Sequence, residues 1–405
     1  MLYRLAAAML ACTSLISCSD GTAFSDFTPT TTTTTTTSGG GGGEGGTGLG
    51  GGTNPTVSSI VRKTQVPLTI PDGFGGTLSA FFESFDMGNS DASISYVLSD
   101  TTSTQHVFRP DASGPLELYS RPSPSIISTT TAGSGNKILS HSGVRDVVDY
   151  ADGNTLAIGA ALGVNIDTIS DAGDVVAFAS NNDLTGANPS GVNQIFTLST
   201  DGADTYNQIT TFTSDHLMES VVISGDGSRI FFSSTSDVLM DGGNADGSYE
   251  VFSVNTDGTG LARLSDFNAS IVRITRSSSD GSILTLEIND LNGIIAKWLQ
   301  AFNTATGALT EIAATLPGAS IDYDMSADGS RAAYLGAGVI SGTVVIYVVN
   351  TGSGSKNDVL TEAGTIRGLQ LNTDGSQLSF YSNIVFDTPI GADEQTTQVY
   401  TMTLQ

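Results

Sequence analysis

Within the stretch MDGGNADGSYE, Asp241, Asn244, Asp246 and Glu250 set four oxygen-bearing side chains close together. Carboxylate and carbonyl oxygens are the ligands that Ca²⁺ takes. The spacing departs from an EF-hand loop, because Gly242 stands where a ligand would be needed. Asp and Asn also populate turns by bonding to their own backbone, so the sequence leaves a calcium site and plain turn chemistry both open. Related carboxylates occur in similar surroundings: Asp183 in NNDLTGANPSG, Asp237 in STSDVLMDGG, and Asp387, Asp393 and Glu394 in FDTPIGADEQ. They are candidates for an acidic binding rim.

Other chemistries find few residues. The three histidines, His106, His141 and His216, lie far apart and form no ligand-like spacing. The two cysteines, Cys12 and Cys18, fall in the first twenty residues, so the rest of the chain has no disulfide, thiol nucleophile or cysteine metal site. No G-x-S-x-G elbow is present, which excludes the usual serine-hydrolase signature, and no H-x-x-x-H pair is available for zinc. A pair of carboxylates working on a glycan stays open, since aspartates are plentiful and none stands out. The formal net charge of −26 disfavours nucleic acid and anionic lipid headgroups as partners.

The elements that must position these loops repeat. MSADGSRAAYLG (325–336) is rewritten as ISDAGDVVAFAS (169–180), ISGDGSRIFFSS (223–234) and LNTDGSQLSFYS (371–382). An alternating apolar segment, a tight turn carrying a glycine, and a second alternating segment ending on an aromatic read as a β-hairpin. The turn glycines are Gly173, Gly227, Gly281, Gly329 and Gly375. FDMGNSDASISY (85–96) aligns without gaps and puts Asp91 in the glycine's place; GNKILS (135–140) contributes Gly135. The seven anchors average about 47 residues apart, a period for a propeller. A third strand and turn follow each anchor, as in VFSVNTDG (251–258), and then a short fourth strand, as in LARLS (261–265).

The seventh unit ends on its third strand, QVYTMTLQ (398–405). VPLTI (66–70), with Val66, Leu68 and Ile70 alternating, is expected to pair there and close the ring. Trp298 and Tyr150, Tyr249, Tyr334 and Tyr347 read as packing residues, and Asp167, Asp322 and Asp324 as the charges on inner strands.

These units resemble the PD40, or WD40-like, repeats of TolB-type propellers, with the form S-x-D-G-x-x-I-x-F-x-S, over roughly residues 76–405. The resemblance implies an all-β propeller of about seven four-stranded blades. TolB's own partners do not carry over, because a low-complexity segment replaces its N-terminal α/β domain.

The opening MLYRLAAAMLACTSLISCSD has one basic residue, Arg4, a short apolar core, and Leu15-Ile16-Ser17-Cys18. It resembles a bacterial lipoprotein signal, which implies cleavage before Cys18 and lipidation of its thiol; Ser19 leans toward the outer membrane. Thr30–Thr37 and the glycine-rich Ser38–Thr53 cannot bury apolar surface to offset chain entropy. They read as a flexible tether with a reach on the order of 30 Å.

The expected organisation is a signal peptide over 1–17, a lipidated tether over 18–55 and a propeller over 56–405. The expected function is an exported, membrane-anchored envelope protein whose propeller binds a protein, peptide or glycan partner without catalysis. The alternative is a glycan-processing enzyme using paired carboxylates. No cofactor is implied beyond the candidate Ca²⁺.

Overall fold

The computed structural model describes residues 57–405 apart from 65, 68, 72–75, 90–93, 111–114, 123–127, 142–144, 152, 160–167, 202–204, 215, 268, 291–296, 315–321, 338–340 and 387–396. Every regular element among the described residues is a strand, and the strands form seven separate sheets. Each sheet is one blade. The inner strands of blades 1 to 7 are Thr77–Met87, Ser128–Thr131, Thr168–Ile169, Met218–Ile223, Ala269–Ser277, Tyr323–Met325 and Ile366–Leu371. Chain order runs from inner to outer strand in blades 1 to 6 and over the first three strands of blade 7, antiparallel throughout, and the inner strands of most neighbouring blades touch. The fold is a seven-bladed β-propeller.

The repeated phrase builds the hub. Its glycines take the left-handed conformation the tight turn demands, with φ of 73° at Gly173, 72° at Gly227 and 66° at Gly375. The weakest repeat obeys the same rule: Gly135 has φ 72°. Asp91 lies outside the described residues. One or two residues before each anchor, the backbone bonds to the next blade. The bonds run Asn89 N to Gly133 O (2.7 Å), Ser134 N to Asp171 O (2.6 Å), Asp171 N to Gly225 O (2.7 Å), Asp226 N to Ser279 O (2.7 Å), Ser279 N to Ala327 O (2.6 Å) and Asp328 N to Thr373 O (2.8 Å). Thr373 N then returns to Asn89 O (3.1 Å), which completes the circle.

Between blades the core is apolar. The aromatic that ends the repeated phrase stacks on a third-strand aromatic in five blades: Tyr96 on Phe108, Phe178 on Phe196, Phe232 on Phe252, Tyr334 on Tyr347 and Phe380 on Tyr400, with centroids 5.0 to 6.1 Å apart. Each pair is worth roughly 0.5–1.5 kcal/mol beyond the area it buries. The pair in blade 4 packs on Ala177, Ala179 and Ile195 of blade 3, so these rings bridge to the preceding blade. Tyr150 binds the preceding blade through a hydrogen bond from its hydroxyl to Ile94 O (2.7 Å). Trp298 lies on a strand of blade 5, but its side chain is outside the described set.

The ring closes with a different segment from the one expected. Val57–Arg62 pairs with Gln398–Leu404 and supplies the outer strand of blade 7. Thr69–Pro71, which includes Ile70, pairs instead with Thr77–Ser79 of blade 1. The physical reason appears just after the closing strand. Gln398 Oε1 accepts from Thr64 Oγ1 (3.0 Å) and Val66 N (3.0 Å), while Thr64 Oγ1 accepts from Val399 N (2.9 Å). This clamp pulls Val66 out of the strand and over the edge toward blade 1.

The same clamp follows the outer strands of blades 3 and 4. Gln194 Oε1 accepts from Thr210 Oγ1 (2.8 Å) and Phe212 N (2.9 Å), and Thr210 Oγ1 accepts from Ile195 N (2.9 Å). Glu250 accepts from Ser265 Oγ and from Phe267 N (2.8 Å), and Ser265 Oγ accepts from Val251 N (2.8 Å). Thr64-x-Val66, Thr210-x-Phe212 and Ser265-x-Phe267 are therefore one motif, and the N-terminal strand is a true fourth strand displaced along the chain.

Candidate functional site

Inner strands run toward the tight-turn face, so the opposite face carries the long loops between second and third strands. Two of those loops are described and share a bracing scheme. Ser180 and Ser234, ending their second strands, accept from the amides of Asn182 and Ser236, both at 3.1 Å. Asp183 accepts from Asn188 N (2.8 Å), and Asp237 accepts from Gly242 N (2.7 Å). Asn188 and Asn244 are buried beneath their loops and donate to carbonyls on both sides of them, Val192 O (2.8 Å) and Ser248 O (3.1 Å) among these. The loops are rigid because their own amides and carboxylates satisfy one another.

Three of the calcium candidates do converge, and on a hydroxyl. Ser248 Oγ lies 2.9 Å from Asp246 Oδ1, 3.0 Å from Glu250 Oε1 and 3.4 Å from Asn244 Oδ1. Asp241 turns away and accepts from Gly243 N (2.8 Å). Bonds from Ser248 N–H and O–H hold the exposed Asp246 carboxyl below its usual range. Glu250 is buried and serves the clamp described above. Among the described residues no three His, Cys, Asp or Glu side chains are grouped to hold a metal ion. Asp183 is exposed and Asp237 half-buried on this face. Asp387, Asp393 and Glu394 lie outside the described residues, as does Cys18.

The loop face also exposes apolar side chains that the sequence reading missed. Leu217 (69% exposed) precedes the inner strand of blade 4, and Phe81 (55%) lies near the start of that of blade 1. Met240 (62%), at φ 53°, tops the 234–250 loop, and Val385 lies in the last loop. An aromatic or Leu, Ile or Met standing outside the period-2 pattern, at a loop tip, was the signal available. The mouth of the axis adds charge: Arg273 pairs with Glu219 (2.5 Å), and Glu287 accepts from the Tyr323 hydroxyl (2.7 Å).

Deeper on the axis, Arg276 pairs with Asp324 and feels Asp86 and Asp171. A third of its side chain is open although it lies deep in the disc, so it faces a wettable lumen. Asp324 accepts from Leu371 N (2.6 Å) of blade 7, and Asp86 accepts from Thr131 N of blade 2. Burial pushes the Asp86 carboxyl up to about 6, against the pull of the Thr131 amide and Arg276, and burial raises Asp324 likewise. Asp322 accepts from Gly368 N (3.0 Å) at the mouth. Asp167 is outside the described residues. At the tight-turn end the Asp171 carboxylate, bonded by Ser279 Oγ, lies across Gly133 and Gly225 and narrows the axis.

No protein-family model matches the chain, and no curated relative matches it. Among solved structures, an oligogalacturonate lyase in complex with manganese superposes with TM-score 0.53 at 11% identity, over 86% of this chain and 98% of that one. The oligogalacturonate lyase of Vibrio parahaemolyticus gives 0.52 at 11%, over 85% and 93%. TolB of Acinetobacter baumannii gives 0.45 at 16%, over 73% and 67%. At these identities the likeness is one of fold.

Proposed function

We propose that this chain is an exported envelope protein, lipid-anchored through Cys18, whose propeller binds a macromolecular partner on its long-loop face without catalysis. The supporting observation is the pairing of that face with the opposite one. Leu217, Met240 and Phe81 stand exposed among Asp183, Asp237 and Asp241 on rigid loops. The chain enters the disc at Val57, beside Leu404, on the tight-turn side. A tether attached there leaves the loop face free. Exposed apolar side chains on a face that also carries exposed carboxylates fit a protein or peptide that presents both apolar and basic residues.

Capture from solubilised envelopes, with and without chelator, tests this. The wild-type disc should retain a partner that a Leu217→Ser, Met240→Ser double variant loses; equal retention by both would refute the assigned face. Chelator sensitivity would speak for calcium in the 241–250 loop. Labelling with a radioactive fatty acid, compared with Cys18→Ser, tests the anchor.

The glycan-processing alternative has one observation in its favour. Asp86, with a raised pKa beside Arg276 and Asp324, has the profile of a general acid. Turnover of acidic oligosaccharides by the wild type and none by Asp86→Asn would establish that reading over the first.

A further inference from the structure

Among the described residues, Ser103 and Met240 hold a left-handed backbone without being glycine, Met240 at φ 53°. A Cβ makes that conformation costly, and glycine or asparagine takes it more cheaply. The loop imposes it here. Asp237 O accepts from Met240 N (3.1 Å), and Asp237 Oδ2 accepts from Gly242 N (2.7 Å). Just before, Val238 is buried in the core between blades 3 and 4, and Leu239 packs against the same cluster. Met240 stands apart from that cluster with its side chain 62% exposed. A strained position that carries a large apolar side chain, most of it in water, has its use outside the chain.

Sulfur chemistry singles out the same residue. Thioether oxidation follows exposure. Met87, Met325 and Met402 are buried, at 2%, 0% and 0% exposure, and Met218 is half-buried. Among the described residues, Met240 is the methionine that a dissolved oxidant meets first.

We propose that Met240 is an oxidation-sensitive contact on the loop face: hydrogen peroxide converts its thioether to the sulfoxide and so weakens partner binding there. This rests on the loop-face reading above. In the step, a sulfur lone pair attacks one peroxide oxygen. The S–O bond forms as the O–O bond breaks. Sulfur loses two electrons, peroxide gains them, and the departing hydroxide takes the proton of the transferred oxygen and leaves as water. The product replaces a flexible apolar tip with a polar one, whose oxygen must shed water when a partner covers it. The bonds that hold the loop run through Asp237 and Asn244 and not through the sulfur, so oxidation changes the contact and leaves the loop in place.

Graded hydrogen peroxide on the purified protein, followed by peptide mass mapping, tests the site. Met240 should gain its oxygen on the order of tenfold faster than Met87, Met325 and Met402; equal rates would overturn the proposal. After peroxide is removed, retention of a partner from solubilised envelopes should drop by on the order of tenfold in the oxidised wild type. It should return with methionine sulfoxide reductase, and retention by Met240→Leu should not respond to peroxide. A wild type oxidised at Met240 with unchanged retention refutes the switch and leaves the loop-face reading standing. Reduced protein that retains nothing ends both. Should Met240→Leu bind too weakly to read, reversal by the reductase decides, and failure to reverse refutes the proposal. Met240→Asn should not lower the thermal midpoint by more than about 2 °C; a larger fall would assign the side chain to the fold and remove the premise.

Discussion

Asp86 offers the sharpest test of the axial hub. Its carboxyl rises from 3.8 to about 6, chiefly through burial, so the folded protein holds its proton more tightly than the unfolded chain does. A raised carboxyl contributes its full stability below the unfolded value and loses it as pH rises through the folded one. At 1.36 kcal/mol per unit, that change is about 3 kcal/mol, lost between about pH 4 and pH 7. Asp86→Asn keeps an oxygen to accept from Thr131 N and removes the titration. Urea unfolding of both proteins at pH 5 and pH 7.5 should show the wild type losing stability relative to the variant as pH rises. At pH 7.5 the variant should be the more stable of the two. A variant less stable than the wild type at pH 7.5, with the same difference at both pH values, would mean that the ionised carboxylate is a net stabiliser of Arg276 and that the burial argument fails.

Three other expectations follow from single contacts. His106 occupies in blade 1 the place of Gln194 and Gln398, between Glu117 (3.0 Å) and Asp100 (3.3 Å). Burial opposes its charge, but the two carboxylates outweigh it and raise its pKa, while both of theirs fall. His106⁺ thus stabilises at weakly acidic pH and stops doing so as pH rises through its folded pKa; His106→Gln should flatten thermal midpoints measured from pH 5.5 to 8. Gln398→Leu removes the acceptor of the Val66 N–H and of the Thr64 O–H and should cost about 1–3 kcal/mol in urea unfolding. Gly225→Ala drives a Cβ to 2.2 Å from Asp171 Oδ2 and 2.8 Å from the Ser279 backbone, so about 1–3 kcal/mol should be lost, measured the same way.

The blades were legible because the tight turn constrains both chemistry and geometry. Gly173, Gly227, Gly281, Gly329 and Gly375 each take a φ that other residues rarely adopt, and the strands that follow them are largely buried. The closing strand was harder to see. Val57–Arg62 is half-buried along its whole length, so its alternation carries no contrast, whereas VPLTI looked like a core strand. What identifies it is a two-residue echo, Thr64-x-Val66 against Thr210-x-Phe212 and Ser265-x-Phe267, which has meaning only once the partner glutamine or glutamate is seen. The hub was hidden for a related reason. Asp86, Arg276 and Asp324 come from three blades, and nothing in their sequence separation brings them to one axis. Glu250 read as a ligand because an acidic residue beside Asp246 suggests a cation; its burial and the Ser265 hydroxyl that meets it were invisible in one dimension.

The position of the closing strand sets how the proposed anchor would load the fold. Val57 opposes Leu404 and Arg62 opposes Tyr400, so the strand begins at the tight-turn face and runs toward the loop face. Under the anchoring proposed above, a pull arriving from the N-terminal side would act along this strand from its N-terminal end and load its backbone hydrogen bonds together, in shear. The clamp from Gln398 to Thr64 and Val66 sits at the far end and resists the same displacement. A propeller closed by the third strand of blade 7 alone would leave that blade with an open edge. Closing it with Val57–Arg62 seals that edge and makes the outermost ladder of blade 7 the element that would carry tension under the proposed anchoring. The first mechanical failure expected under load is therefore loss of Val57–Val66 from blade 7, with the other six sheets intact.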